Sequence, residues 1–160
     1  SKIMMKKRLF IQAAAVLAAG AGTTFGLPVF AQTRPLVEVW KDPDCGCCGD
    51  WVSHMQASGF QVQVHDTGNA AARKRLGVPE QMGSCHTALV AGYALEGHVP
   101  GREVHRLLKE RPRAIGLAVP GMPVGSPGMD GPAYNGRKDR YDVVLLLPGD
   151  KSRVYQSYPA

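Results

Sequence analysis

The chain has 160 residues, of which 44% are hydrophobic and 20% charged, and its formal net charge is +6. Four basic residues and no acidic ones lie in residues 1–31, so the charge falls from +6 to +2 without this segment. No Lys/Arg stripe with interleaved aromatic residues remains in the rest of the chain, which argues against nucleic-acid binding. For the basic run Arg73–Arg75 we expect a solvated helix face.

The first 31 residues have the pattern of a secretory signal. A basic head of Lys6, Lys7 and Arg8 precedes an Ala-rich apolar stretch, which ends in Val29-Phe30-Ala31 with small residues where signal peptidase reads. A short transmembrane anchor is the alternative, but the stretch is interrupted by glycines and threonines and is too short to span a bilayer comfortably. We therefore expect cleavage after Ala31, no stable membrane anchor, and one mature domain over residues 32–160, which is enough chain for a modest core.

The elements of this domain alternate between strands and helices. Leu36–Trp40 and Phe60–Val64 alternate apolar and polar residues, which predicts two strands. Between them, Trp51, Val52 and Met55 have helical spacing, and Gly59 ends the predicted helix. The later elements follow in this order: a short helix over 68–78, a strand pair over 87–98 that turns at Gly92, a helix over 102–112, a Gly/Pro-rich loop from Pro120 to Asn135, and strands over 142–147 and 153–158.

Three of the four cysteines, Cys45, Cys47 and Cys48, fall within the segment "DPDCGCC" between the first strand and its helix. In an oxidising compartment, four cysteines allow two disulfides in three connectivities. A bridge within the triplet closes almost no loop and removes little unfolded-state entropy, so a structural framework explains at most one long-range bridge to Cys85. The triplet therefore indicates thiol chemistry or a soft-metal site.

The order of elements predicts an α/β domain of the thioredoxin-like kind, with a central mixed sheet flanked by helices. In that arrangement the cysteine motif lies at a helix N-terminus, where the helix dipole favours thiolates. Cys85 stands just before the predicted strand pair, where such folds usually carry a cis-proline. We expect its sulfur to face the triplet, which places four thiols around one point.

Three segments together, "VWKDPDCGCCGDWVSHMQASGF", "MGSCHTALVAGYALEGHVP" and "AIGLAVPGMPVGSPGM", resemble the CopG-type periplasmic copper-resistance proteins. The resemblance covers roughly residues 36–158. It implies a thioredoxin-like fold, export to the periplasm, and copper bound by Cys45, Cys47, Cys48 and Cys85. It also implies a role in copper handling with interconversion of Cu(I) and Cu(II), and it suggests a periplasmic copper-export or copper-chaperone protein as partner.

The ligand chemistry is consistent with copper. Thiolates are soft ligands that select Cu(I), Zn(II) or iron–sulfur clusters. A structural zinc site usually takes cysteine pairs separated by two to four residues, whereas Cys47 and Cys48 are adjacent. Their side chains tend to diverge, which the bridging thiolates of a multinuclear Cu(I) cluster tolerate. The pattern therefore favours copper over zinc.

Other side chains are candidates for an accessory role. His86 is either an outer-shell or Cu(II) ligand, or a histidine that hydrogen-bonds the backbone near the strand. Met122 and Met129 carry thioethers that suit Cu(I), although methionine in such a loop is commonly a packing residue. For His65, His98 and His105 we expect surface positions or ordinary polar roles.

Two other functional classes remain open. Cys45 and Cys48 form a C-x-x-C frame at a helix start, as in thiol–disulfide oxidoreductases. Alternatively, the domain binds metal or a partner passively, and the loop from Pro120 to Asn135 is a lid or docking surface. No nucleotide-binding loop, Ser–His–Asp arrangement or pair of catalytic carboxylates is recognisable in the chain.

Overall fold

The computed structural model describes residues 33–160, and the predicted signal segment, residues 1–31, lies outside the described residues. The elements in chain order are β1 (Leu36–Lys41), α1 (Gly46–Ala57), β2 (Gln61–His65), α2 (Ala70–Arg75), β3 (His86–Val90), β4 (Tyr93–Glu96), α3 (Gly101–Glu110), β5 (Gly116–Ala118), β6 (Tyr141–Leu147) and β7 (Lys151–Tyr158). Within residues 33–160, no helix has the length and apolar character needed to cross a membrane.

The strands form one seven-stranded mixed sheet in the order β2-β1-β3-β4-β5-β6-β7. β1 pairs in parallel with β2 and antiparallel with β3, and β3 continues into the antiparallel hairpin partner β4. Three helices accompany the sheet. The predicted α/β class with a mixed sheet and helices is therefore confirmed.

The sheet contains one strand that the sequence pattern does not predict. β5 has only three residues, which is too short to display an alternating pattern, yet it pairs with both β4 and β6. Gly116 begins this strand in close contact with its neighbour, because a Cβ there would lie 1.8 Å from the Ala94 carbonyl oxygen. β5 thus joins the terminal strand pair to the rest of the sheet.

The main hydrophobic core lies where α1 and α3 face the sheet. Trp51 and Met55 of α1 and Leu107 of α3 are fully buried, and they belong to one cluster with Val37 and Val39 of β1. The Trp51 indole Nε1 donates a hydrogen bond to the Val99 carbonyl oxygen at 2.9 Å, so the only polar atom of its ring is satisfied. This packing fixes α1, whose first turn carries the cysteine motif.

A buried ion pair holds the chain that leads into β3. Glu96 is fully buried, and its Oε1 accepts hydrogen bonds from Arg73 Nε at 2.8 Å and from the Ser84 backbone N–H at 2.7 Å. Arg73 Nη2 also donates to the Ser84 carbonyl oxygen at 2.6 Å. Burial raises the pKa of Glu96, while the hydrogen bonds from Thr87 and Ser84 and the Arg73 charge lower it. The expectation of a solvated Arg73–Arg75 face is therefore wrong for Arg73, which lies against this carboxylate.

Glu96→Gln is expected to lower the free energy of unfolding by roughly 3 kcal/mol, because it removes the buried counter-charge of the Arg73 guanidinium and leaves only the exposed Glu80 beside it. Urea denaturation followed by circular dichroism measures the change. Glu110→Gln is the matched control, because Glu110 pairs with Arg106 on the surface and such pairs contribute little. Equal losses in the two variants would contradict this account of the buried pair.

Candidate metal centre

The cysteine motif forms the first turn of α1. β1 ends at Lys41, and the following turn is closed by a hydrogen bond from the Cys45 N–H to the Asp42 carbonyl oxygen at 3.2 Å. Cys45 then occupies the N-cap position, and Cys47 and Cys48 lie in the first helical turn. The motif therefore lies at the positive dipole end of α1, where the first N–H groups of the helix have no partner within the helix.

Cys45 and Cys48 are joined by a disulfide, whereas Cys47 and Cys85 are free thiols. The start of a helix brings residues three apart close together, and the two Cα atoms lie 5.3 Å apart, within the range that a disulfide needs. A long-range bridge to Cys85, the most that a structural framework would explain, is not formed. The pairing is that of the C-x-x-C frame.

Cys85 completes a cluster of four sulfurs. β3 pairs antiparallel with β1 and places His86 opposite Lys41, so Cys85 lies beside the turn that follows β1. The sulfurs of Cys45, Cys47, Cys48 and Cys85 all lie within 4.8 Å of one another. The fold thus brings together all four cysteines proposed as ligands, in an arrangement that can hold a metal ion once the Cys45–Cys48 disulfide is reduced.

The Cys85 thiol is protonated at neutral pH in this structure. Burial, with a smaller contribution from the nearby Cys47, raises its pKa to about 12 against an opposing hydrogen bond from Ser84. A thiol must lose its proton to bind a metal, so a bound cation has to compensate for this burial. Cys85 is only partly buried, so an ion can still reach its sulfur from the cavity that it lines.

Two histidines flank the Cys85 sulfur. His98 Nε2 lies 3.0 Å from Cys85 Sγ, and His86 Nδ1 lies 3.4 Å from it. Both rings are fully buried, and burial lowers the pKa of each, that of His86 to about 3, so both imidazoles are neutral. One ligand atom from each of Cys85, His86 and His98 lies within 4.8 Å of the others, which makes these residues a second group that can hold a metal.

The expectation that His98 occupies a surface position is wrong. The β3–β4 hairpin pairs Thr87 with Glu96, and continuing this register outward by two residues places His98 opposite Cys85. A turn centred on residues 91 and 92 in the sequence already implies this pairing. The position of His98 beside Cys85 could therefore have been predicted from the location of the hairpin turn.

The Gly/Pro-rich loop packs over the cysteine turn. The Pro127 carbonyl oxygen lies 2.7 Å from His98 Nδ1, and Gly128 has a positive φ of 90°. A Cβ at residue 128 would lie 2.7 Å from the Cys47 carbonyl oxygen and 2.9 Å from the Trp51 nitrogen, so only glycine fits there. Internal bonds such as Gly125 N–H to Met129 O at 2.7 Å keep the loop compact.

The two loop methionines have different surroundings. Met129 is buried, and its sulfur accepts a hydrogen bond from the Tyr134 hydroxyl at 3.2 Å, which fits a packing role. Met122 is 52% exposed and lines an open cavity together with Cys85. Of the two predicted thioether ligands, only Met122 thus shares a cavity with a cluster cysteine.

The remaining histidines have ordinary polar roles, as predicted for His65 and His105. His65 stacks on Trp40 and contacts Glu38, and His105 stacks on Phe60. His54 Nε2 accepts a hydrogen bond from the Gly101 N–H at 2.9 Å at the start of α3.

Comparison with known proteins relates the chain to copper resistance proteins. Residues 82–129 match the family described as "Protein of unknown function, DUF411". Two solved structures of "Copper resistance protein copG", form 2 and form 1, are each 44% identical to the chain with a TM-score of 0.73. They cover 79% and 80% of this chain, and 100% of their own chains are covered. No curated protein sequence matches the chain.

Gly128→Ala is expected to lower the free energy of unfolding by about 2 kcal/mol more than Gly136→Ala does, since the methyl group at residue 128 would collide with the backbone of α1. Gly136→Ala is the control, because Gly136 also has a positive φ but a Cβ there would meet no atom within 4 Å. Denaturant titration measures stability, and the rate of maleimide labelling reports the exposure of Cys47 and Cys85. Equal behaviour of both variants would contradict the tight contact.

Proposed function

The chain belongs to the CopG family of copper resistance proteins, and we propose that it is a periplasmic copper-binding protein. In this proposal it holds Cu(I) in a thiolate site made by Cys45, Cys47, Cys48 and Cys85. The observation that carries the proposal is the convergence of the four sulfurs to within 4.8 Å of one another. The signal-like pattern of residues 1–31 supports export.

The donor set fits copper. Four thiolates form a soft site that prefers Cu(I) over hard cations. Cys48 is fully buried while its neighbour Cys47 is only half-buried, so the adjacent side chains enter different surroundings. This divergence favours bridging thiolates and more than one copper ion per site. Met122, exposed in the cavity beside Cys85, is an accessory ligand in this proposal.

We infer that the fold is thioredoxin-like, with an additional three strands. The order β2-β1-β3-β4, the helix α1 after the cysteine motif and the helix α3 after the hairpin support this assignment. In this view β5, β6, β7 and the Gly/Pro-rich loop are additions to that domain. The loop supplies contacts that cover the cysteine turn.

The disulfide provides a chemical route to copper redox chemistry. When reduced Cys45 and Cys48 form their bridge, two thiolates become one disulfide and release two electrons. Those electrons reduce two Cu(II) ions to Cu(I), while Cys47 and Cys85 stay available as soft ligands. A thiol reductant must then regenerate the dithiol, and a copper-export or copper-chaperone protein is the proposed recipient of the ion.

A thiol–disulfide oxidoreductase is the second candidate. The observation that favours it is the Cys45–Cys48 disulfide at the N-terminus of α1, because reactive C-x-x-C pairs occupy this position in such enzymes. The crowding of Cys85, His86 and His98 at the neighbouring strand argues against a groove for a peptide substrate.

The copper site is tested by anaerobic titration of the fully reduced protein with Cu(I) against a competing chelator. We expect more than one tightly bound Cu(I) per chain, because four thiolates can bridge several ions. Cys85→Ser is expected to lower this capacity and to weaken binding by at least tenfold. His65→Gln is expected to leave both unchanged, because His65 contacts Trp40 and Glu38 and belongs to neither ligand group. Weak binding together with turnover of disulfide substrates would favour the oxidoreductase.

The redox step is tested separately by mixing the fully reduced protein with Cu(II) and a Cu(I)-specific chelator. At least two Cu(I) ions per chain are expected, with a Cys45–Cys48 bridge found by peptide mapping. A protein in which Cys45→Ser and Cys48→Ser are combined is expected to lose the first phase of reduction. If the reduced wild-type protein leaves Cu(II) unreduced, the redox role is excluded.

A further inference from the structure

We propose that Cys85, His86 and His98 form a separate His2Cys site, which binds Cu(II) while Cys45 and Cys48 are joined in their disulfide. This site deepens the proposed copper function, from which it takes the identity of the ion. It does not require the four-thiolate site, because Cys85 is its only sulfur ligand. The two sites share that sulfur and belong to different redox states of the protein.

The ligand atoms already converge in the disulfide state. Cys85 Sγ lies between the two rings, 3.0 Å from His98 Nε2 and 3.4 Å from His86 Nδ1. Each of the three residues offers an atom within 4.8 Å of the others. The Cys45–Cys48 disulfide removes two thiolates from the four-cysteine site, but it removes no ligand from the site of Cys85, His86 and His98.

The backbone of the loop sets the orientation of His98. Its Nδ1 lies 2.7 Å from the Pro127 carbonyl oxygen, which can only accept, so Nδ1 carries the proton. Nε2 therefore directs its lone pair toward Cys85. Histidines that bind metals commonly donate their other N–H to a backbone carbonyl in this way, which fixes the ring and its tautomer. The packing of Gly128 against α1 keeps this carbonyl in position.

His86 has a buried nitrogen that the protein leaves without a partner. Its ring is fully buried between Trp51, at 4.4 Å between centroids, and His98, at 5.1 Å. Across residues 33–160, its Nε2 is the one buried side-chain nitrogen or oxygen that makes no hydrogen bond. Such a group costs about 1–3 kcal/mol and calls for a reason. The nitrogen that faces Cys85 is the other one, Nδ1, so an ion bound there leaves Nε2 unpartnered. An apolar residue would fill the space without this cost, so the presence of the imidazole supports a role for Nδ1 as a ligand.

The donor set selects the oxidised ion. Four thiolates favour Cu(I), whereas imidazole nitrogens suit Cu(II), and two histidines with one cysteine form the ligand set of protein copper that cycles between the two states. Disulfide formation therefore exchanges an all-sulfur set for a mixed one. In this proposal, the protein with an oxidised Cys45–Cys48 pair still binds Cu(II). The ion then lies beside the cysteines that bind it as Cu(I) once the disulfide is reduced.

The test uses the Cys47→Ser protein in its oxidised form. Only the Cys45–Cys48 disulfide and the Cys85 thiol then remain, so an added ion cannot oxidise a second thiol pair. Co(II) is the probe because it does not oxidise thiols and because cobalt–thiolate charge transfer is visible in the near-ultraviolet. We expect one Co(II) per chain with that band, and Cu(II) is expected to give nitrogen hyperfine splitting in its electron paramagnetic resonance spectrum.

Matched variants in the same Cys47→Ser protein identify the ligands. Cys85→Ser should abolish the charge-transfer band, and His98→Gln and His86→Gln should each weaken Co(II) binding by at least about tenfold. His65→Gln should leave it unchanged. Circular dichroism establishes whether each variant is folded. The two histidine variants are measured independently, so if one of them misfolds, the other still tests the proposal.

Two results would overturn the proposal. One is a folded, oxidised Cys47→Ser protein that gives no cobalt–thiolate band. The other is binding that both folded histidine variants retain at full affinity. Failure of the four-thiolate site is recognised separately, because Cys47→Ser is expected to lower the Cu(I) capacity of the reduced protein while it preserves Co(II) binding by the oxidised one.

Discussion

The antiparallel pairing of β3 with both β1 and β4 is the constraint on which the site depends. One register places His86 opposite Lys41, at the end of the strand that leads into the cysteine turn, and the other places Thr87 opposite Glu96. Residues that are distant in the sequence therefore meet at one end of the central strands β1, β3 and β4. They come from the start of α1, the start of β3 and the end of the hairpin. A register shift would turn alternate side chains to the opposite face and separate these ligands.

The buried Arg73–Glu96 pair holds the segment that leads into β3. Glu96 and Arg73 together bind both the N–H and the carbonyl oxygen of Ser84, the residue before Cys85. The segment before β3 has no regular sheet partner, so these charge-assisted bonds replace the ladder that would otherwise fix it. A buried pair of this kind contributes little net stability but defines one position for the backbone. The position of the Cys85 sulfur follows from that backbone.

The sequence was sufficient for the parts of the site that depend on local pattern and element order. The cysteine turn, its helix and the facing position of Cys85 follow from periodicity and from the succession of strands and helices. β5 was not predictable because three residues are too few to show an alternating pattern. The buried Arg73–Glu96 ion pair was not predictable either, because the charge of a residue does not reveal whether it is buried. The Cys45–Cys48 disulfide forms because the first helical turn brings these two residues close together. An argument from the entropy of loop closure does not take this local geometry into account. His98 was predictable from the hairpin symmetry about residues 91 and 92.

The loop links the chemistry of the two ligand groups. Gly128 lies so close to α1 that a Cβ at this position would be 2.7 Å from the Cys47 carbonyl oxygen and 2.9 Å from the Trp51 nitrogen. The carbonyl oxygen of its neighbour Pro127 accepts a hydrogen bond from His98 Nδ1. The same two residues therefore touch the turn that carries the disulfide and the imidazole that faces Cys85. Because the loop backbone is held at both places, it fixes the orientation of the His98 nitrogen relative to the cysteine turn.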